Sequence, residues 1–275
     1  MKIKWNSEQI PNLNIKKNEG VTFLTYPAFE DVEWLVHGFS TRLGGVSQGI
    51  YSSMNLSFTR GDEESCVREN YNRIAAAMGF RAENIVTSDQ THTCNVRKVT
   101  EKDRGKGIVT PRDYTDIDGM ITNVPSLVLA TFYADCVPLY FVDLLHHAIG
   151  LSHSGWRGTV QKIGEEDGSN PKDMKVAIGP SICQDCYEVS LDVIEEFKNA
   201  FDQKHWDKLF YAKDNEKYQL NLWEANRIIF TEAGICPENI SMPNICTCCN
   251  PKFLFSHRAS HGKRGNLGAF LGIRE

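Results

Sequence analysis

The chain has 275 residues, of which 41% are hydrophobic, and a formal net charge of −5. This size and apolar share are enough for a substantial buried core. The acidic balance and the lack of long Lys or Arg runs argue against nucleic acid as a partner.

The pattern of apolar residues indicates neither a signal peptide nor a membrane-spanning segment. The first residues, MKIKWNSEQIPNLNIKKNEG, are polar throughout and lack the order of a signal peptide, so we expect a cytoplasmic protein. The longest apolar window, around 125–145, contains Asp135, Cys136, Pro138 and Asp143, which would be costly in lipid. Nine cysteines in such a chain are expected to be reduced thiols, able to bind metal or act as nucleophiles.

The first third of the chain predicts an edge segment, a polar loop and a helix. Residues 1–35 alternate between polar and apolar positions and end in a strand-like stretch at 34–36. The loop 37–57, HGFSTRLGGVSQGIYSSMNLS, combines many backbone donors with the cation Arg42, which suits an anion. Composition alone favours an ordinary surface loop. Residues 63–78 then predict a helix, with Asp62 as N-cap and Gly79 just past its end.

The middle of the chain predicts buried strands with reactive side chains at their ends. Residues 85–99 indicate strand, turn and strand, with His92 in the turn, and 98–118 is polar enough to predict an exposed excursion. Apolar runs at 127–133, 137–142 and 148–152 follow. Asp135 and Cys136 separate the first two runs, and His153 ends the third.

The last third predicts a strand at 176–178, helices at 190–201 and 220–233, a late strand with a cysteine cluster, and a short apolar strand in the tail. Strands and helices mix without a strict alternation, which favours an α+β layered sandwich over a doubly wound sheet. With no tandem repeat or low-complexity linker, we expect a single domain spanning 1–275.

Sulfur and imidazole groups carry the candidate chemistry. The sequence has no GxxxxGK[ST], HExxH, GxSxG or strand-linked GxGxxG motif. His92, Cys136 and His153 form a zinc-ligand set that leaves the fourth tetrahedral position open, as in a catalytic site. A nucleophilic pair of Cys136 and His153 without metal is the alternative, and sequence does not separate the two.

A second group of cysteines offers a competing metal site. It would be a structural zinc knot, although the late group has the form CxCC, and small buried thiols are the simpler interpretation. Its members are Cys183, Cys186, Cys246, Cys248 and Cys249.

Six motifs in order carry a resemblance across nearly the whole chain: HGFSTRLGGVS, SDQTHT, ADCVPLYFVD, LSHSGWRGTV, AIGPSICQDCYEVS and CTCCNPKFLFSHR. In content and order they resemble the YfiH/YlmD family, also called the laccase-domain or multicopper polyphenol oxidase family. The resemblance implies an α/β/β/α layered fold and a metal site at His92, Cys136 and His153, with zinc as the expected ion and copper possible.

The resemblance also implies zinc-dependent chemistry on purine nucleosides. The expected reactions are phosphorolysis of adenosine, inosine and methylthioadenosine, with adenosine deamination as a side activity. Arg42 is the expected phosphate ligand, Asn55 lies near ribose or phosphate, and Arg258 is a further cation. The expected partners are nucleoside and phosphate, and the expected state is a monomer or weak dimer.

Copper-dependent phenol oxidation is the alternative activity. A multicopper cluster needs many imidazoles, whereas this chain has eight histidines and no His-x-His pair, so nucleoside chemistry is favoured. The chain departs from the family pattern between Gly158 and Asp173, a short polar stretch where members usually carry a longer helix. That departure would alter the wall of the pocket beside His153, so the substrate preference of the family does not carry over directly. The tail GKRGNLGAF also differs from the simpler GR turn of many members, so no role carries over to Arg264.

Overall fold

A computed structural model describes residues 2–11, 13–161 and 170–275. Its strands are, in chain order, β1 Asn14–Asn18, β2 Val21–Thr25, β3 Leu35–Ser40, β4 Ile85–Thr87, β5 Val96–Lys98, β6 Gly119–Thr122, β7 Val128–Tyr133, β8 Val137–Asp143, β9 Ala148–Ser154, β10 Met174–Ile178, β11 Glu188–Ser190, β12 Phe210–Ala212, β13 Lys217–Leu220, β14 Ile240–Ser241 and β15 Leu267–Ile273. Its helices are α1 Glu64–Met78, α2 Trp156–Val160, α3 Leu191–Ala200, α4 Trp206–Leu209, α5 Leu222–Glu232 and α6 His257–Ser260.

Two six-stranded sheets form the centre of the molecule. The first has the order β1-β2-β3-β15-β7-β4 and the second β14-β10-β8-β9-β6-β5, and a smaller sheet has the order β11-β13-β12. Most neighbours are antiparallel, while β4–β7, β5–β6 and β10–β14 are parallel. The tail strand β15 lies in the interior of the first sheet, between β3 and β7, and all seven of its residues are buried.

Apolar side chains fill three layers, as the α/β/β/α architecture requires. One cluster joins the two sheets face to face and includes Leu129 and Leu271 from the first and Tyr140 and Leu151 from the second. A second packs α1 on the outer face of the first sheet. A third packs α3 and α5 on the outer face of the second sheet. The predicted layered α+β fold is confirmed.

The long helices begin and end close to their predicted limits, with one difference at α1. Its N-cap is Glu63, and Gly79 at its end adopts the left-handed conformation with φ of 81°. Asp62 does not cap it. Its carboxylate instead accepts hydrogen bonds from Ser47 and Asn55 in the preceding loop. No helix in the described ranges has both the length and the apolar character needed to cross a membrane.

Two other expectations need correction. The excursion 98–118 is partly buried, because Val99, Asp103 and Ile108 are each at most 6% exposed. The loop predicted to begin at His37 begins later, since His37 lies within β3. Of the stretch 158–173, the structure describes α2 up to Val160 and a single 3-10 turn from Pro171, and residues 162–169 lie outside the described residues.

Candidate metal centre

The candidate site lies where the chain passes from one central sheet to the other. The turn that holds Cys136 links β7 of the first sheet to β8 of the second, and the loop that holds His92 links β4 to β5 in the same way. His153 lies in β9, directly opposite Pro138 of β8. Strands that are consecutive in the sequence thus belong to different sheets. The loop between β4 and β5 and the turn between β7 and β8 meet at the site.

The predicted trio converges. The side-chain ligand atoms of His92, Cys136 and His153 all lie within 4.8 Å of one another, and the Cys136 sulfur is 4.0 Å from Nε2 of His92. The two imidazole rings meet edge to face, with centroids 4.9 Å apart. His153 is buried, Cys136 half-buried and His92 exposed, so one side of the trio opens toward solvent. Two imidazoles and a thiol at these separations fit a tetrahedral ion with a free position.

Backbone conformation makes this approach possible at three points. His92 and Asp135 have φ of 67° and 96°, which turn the chain sharply beside the cluster. A Cβ at Gly155 would lie 3.0 Å from the His92 ring and 3.6 Å from the Cys136 sulfur. Because Gly155 has no side chain, the His92 ring and the Cys136 sulfur can occupy this space.

Asp118 organises the site and was missed by the sequence analysis. This buried carboxylate accepts hydrogen bonds from the backbone nitrogens of Thr91, His92 and Thr93 and from the Thr93 hydroxyl. It also accepts from Nδ1 of His153 at 2.7 Å, which leaves Nε2 of that ring for the cluster. A carboxylate behind a histidine is a recurrent feature of metal sites. Its only sequence signal was its position directly before β6.

The charges of the trio favour a thiolate. Burial raises the pKa of the Cys136 thiol, but the positive charge and hydrogen bond of His153, followed by the hydrogen bond of His92, lower it to about 6. For His153, burial lowers the pKa, while Cys136 and Asp118 raise it to about 9. Burial also opposes ionisation of Asp118, yet its bond to His153 brings the pKa down to about 2. A thiolate is the form of cysteine that ligates metals.

The trio forms part of the wall of a cavity of about 790 Å³. Residues 107–112 of the excursion also line the cavity, together with Phe58 and Phe132, which are half-buried. The cations that line it are Arg60, Arg68, Arg112 and Arg264. A volume of this size is typical of sites for small organic ligands.

Arg264 stands out among these cations. It is 8% exposed, its Nε has no hydrogen-bond partner, and no acidic side chain of the described residues forms an ion pair with it. Burial, followed by the charge of Arg60, lowers its pKa to about 10, so it remains charged at neutral pH. Buried charges are normally paired. The sequence pointed to Arg42 as the anion ligand, and the basic, glycine-rich turn around Arg264 is the pattern that could have indicated this second arginine.

The three residues predicted to bind substrate are not among those that line this cavity. Arg42 donates to the carbonyl oxygens of Ser52 and Pro251 at 2.8 and 2.6 Å. Arg258 donates to two carbonyl oxygens, of Cys186 and Glu188. The amide of Asn55 is buried and bonds to Asp62, Ser57 and the backbone of Asn266. Asn55 supports cavity residues from behind.

Comparisons with known proteins identify the family. Residues 36–274 match the family described as multi-copper polyphenol oxidoreductase laccase. The chain is 37% identical over 253 residues to purine nucleoside phosphorylase YlmD of Bacillus subtilis, covering 88% of this chain and 89% of that one. It is 32% identical to adenosine deaminase RL5 of an unknown prokaryotic organism, covering 81% and 88%.

A solved structure agrees with these matches. The crystal structure of the Bacillus licheniformis hypothetical protein YfiH superposes with a TM-score of 0.88 at 33% identity, covering 94% of this chain and 99% of that one. The matched range and this superposition agree with the resemblance carried by the six motifs. The chain belongs to the YfiH/YlmD family of laccase-domain proteins.

Proposed function

We propose that this protein is a zinc-dependent purine nucleoside phosphorylase that also deaminates adenosine. One observation carries the proposal: the trio of His92, Cys136 and His153 lines the same cavity as a buried guanidinium, Arg264, that has no acidic partner among the residues the structure describes. Relatives named purine nucleoside phosphorylase and adenosine deaminase support it.

The donor set fits zinc. His92, Cys136 and His153 would hold the ion, and Asp118 would orient His153 from behind. When bound, zinc lowers the pKa of a neighbouring water toward about 7 and stabilises negative charge on a departing base. Because the exposed side of the trio faces the cavity, a purine can be placed against it.

The remaining steps belong to the side chains of the cavity. Arg264 and Arg60 would bind phosphate, since a dianion offsets the cost of the buried cation. Arg264 and Cys136 line the same cavity, so one bound substrate can contact both. Phe58 and Phe132 offer apolar surface to a base and exclude water. A phosphate oxygen then bonds to the ribose C1′ while the bond to the purine breaks.

The experiment is incubation of purified protein with inosine or adenosine and phosphate, followed by detection of free base and ribose 1-phosphate. We expect turnover that Cys136→Ala abolishes and that Cys236→Ala, a cysteine which does not line the cavity, leaves intact. Release of free base without phosphate, or turnover that persists in Cys136→Ala, would contradict the proposal.

Copper-dependent phenol oxidation is the second candidate, because the family description names it. Within residues 2–11, 13–161 and 170–275, His92, Cys136 and His153 are the one ligand cluster that contains imidazole. A single site of this kind has no second copper to share the electrons that oxygen takes up. Two results together would exclude this candidate: metal analysis that finds zinc and less than one copper per chain, and no consumption of oxygen when phenols are added.

A further inference from the structure

Four cysteine sulfurs meet on the far side of the turn that carries Cys136. The Sγ atoms of Cys183, Cys186, Cys246 and Cys249 all lie within 4.8 Å of one another, and none of the four forms a disulfide. Cys183 and Cys246 are buried, and the other two are half-buried. This corrects the expected pattern, because the late pair is Cys246-x-x-Cys249, and Cys248 is outside the cluster.

Each pair lies on a tight turn, and the two turns are joined directly. The first pair surrounds a 3-10 turn, Gln184–Cys186. The backbone nitrogen of Thr247 donates to the carbonyl of Ser181 at 3.1 Å, and Ser181 and Cys246 form a short parallel bridge. Two turns of the form C-x-x-C held side by side are the usual scaffold of a closed zinc site.

Two backbone N–H groups are aimed at one of the four sulfurs. The backbone nitrogens of Cys183 and Cys249 both donate to Sγ of Cys246, at 3.2 and 3.4 Å. Donors aimed at a sulfur favour the thiolate over the thiol. Small buried hydrophobes, the simpler interpretation of these cysteines, require no such donors.

The separations match a single tetrahedral ion. Metal–sulfur bonds of about 2.3 Å place the sulfurs of a tetrahedron about 3.8 Å apart, and the Cys186 and Cys249 sulfurs are 3.5 Å apart. A cluster of several irons would spread its four thiolates further. With four protein ligands, no position is left for water or substrate.

We propose that Cys183, Cys186, Cys246 and Cys249 form a second, closed metal site for one zinc or ferrous ion, with a structural role. The ion ties together two loops that both contact Asp135: Ile182 donates to its carbonyl at 3.0 Å, and the Thr247 hydroxyl donates to its carboxylate at 2.6 Å. Because Asp135 precedes Cys136 in the turn, the ion supports the backbone that presents this thiol. The proposal does not depend on the activity proposed above.

The test removes the first site so that only the second is measured. Cys136→Ala protein, purified without added metal, is analysed for zinc and iron and by X-ray absorption at the edge of the metal found. We expect about one ion per chain with a shell of four sulfurs, zinc and iron being told apart by their edges. No metal, or a shell containing nitrogen or oxygen ligands, would overturn the proposal.

Further substitutions in the Cys136→Ala background locate the ion. Cys249→Ser is expected to lose most of the bound metal, whereas the matched control Cys248→Ser in the same turn keeps it. If Cys249→Ser fails to fold, thiol labelling of the Cys136→Ala protein provides the test instead. A metal site protects four thiols until a chelator is added, and immediate labelling of those four thiols without chelator would overturn the proposal.

Discussion

Oδ1 of Asp118 lies 2.7 Å from Nδ1 of His153, which leaves Nε2 of that ring for the trio. Both groups are buried, and the same carboxylate holds the backbone of residues 91–93, which carries His92. One side chain thus sets the orientation of one predicted ligand and the position of another.

Asp118→Asn should therefore weaken the site without removing a ligand. An amide cannot accept all of these hydrogen bonds, and loss of such a partner typically lowers metal affinity or activity about 10- to 100-fold. Zinc affinity by competition with a chelator, and kcat for inosine, are the measurements. Asp116→Asn is the matched control, since Asp116 is exposed and bonds the hydroxyl of Thr91. Equal effects from both substitutions would contradict a special role for Asp118.

Arg264→Gln should weaken phosphate binding. Loss of charged hydrogen bonds to a phosphate costs about 1.5 to 3 kcal/mol, or about 10- to 100-fold in affinity. We expect the KM for phosphate to rise by that factor, while the KM for inosine changes little. A larger effect on inosine than on phosphate would place the anion elsewhere in the cavity.

Arg42→Met should reduce stability and leave phosphate binding unchanged. The guanidinium bonds two carbonyl oxygens and lies 4.6 Å from the centre of the Phe255 ring, so its loss should cost about 2 kcal/mol of unfolding free energy. Urea denaturation and the KM for phosphate are the two measurements. A raised KM at unchanged stability would restore the role predicted from sequence.

Asp103→Asn should lower stability in a manner that depends on pH. Asp103 is buried, which raises its pKa, but bonds from Lys106, Thr100 and Arg97 dominate and hold the pKa well below its usual value of 3.8. A carboxylate with a lowered folded-state pKa contributes stability above its unfolded pKa and loses it as pH falls. We expect the variant to lose about 2 kcal/mol of unfolding free energy at pH 7, and this loss should shrink only below about pH 4, as the pH falls toward the folded-state pKa.

The control for Asp103 is Asp113→Asn, an exposed partner of the same Lys106. Surface pairs contribute at most about 1 kcal/mol, so this variant should unfold at nearly the wild-type urea concentration at every pH. A difference in unfolding free energy for Asp103→Asn that stays constant from pH 7 down to about pH 2 would show that its charge is not the stabilising feature.

Much of the architecture follows from local patterns. The spacing of apolar residues in α1 and the Gly79 that ends it are properties of a few neighbouring residues, so the helix is predicted to within a residue. The apolar run after Pro138 likewise indicates a buried strand, because both faces of β8 are covered. Residue types also indicated which groups could ligate a metal, since thiol and imidazole are uncommon enough to stand out.

What only the tertiary structure decided is which distant residues meet. The strands on either side of His92 look like neighbours in the sequence, yet they belong to different sheets, and the same holds for β7 and β8 around Cys136. Arg42 and Arg264 are both arginines in glycine-rich loops, but the first bonds to carbonyl oxygens and the second faces the cavity. Sheet assignment and side-chain direction depend on contacts between residues far apart in the chain, and local propensity contains no information about them.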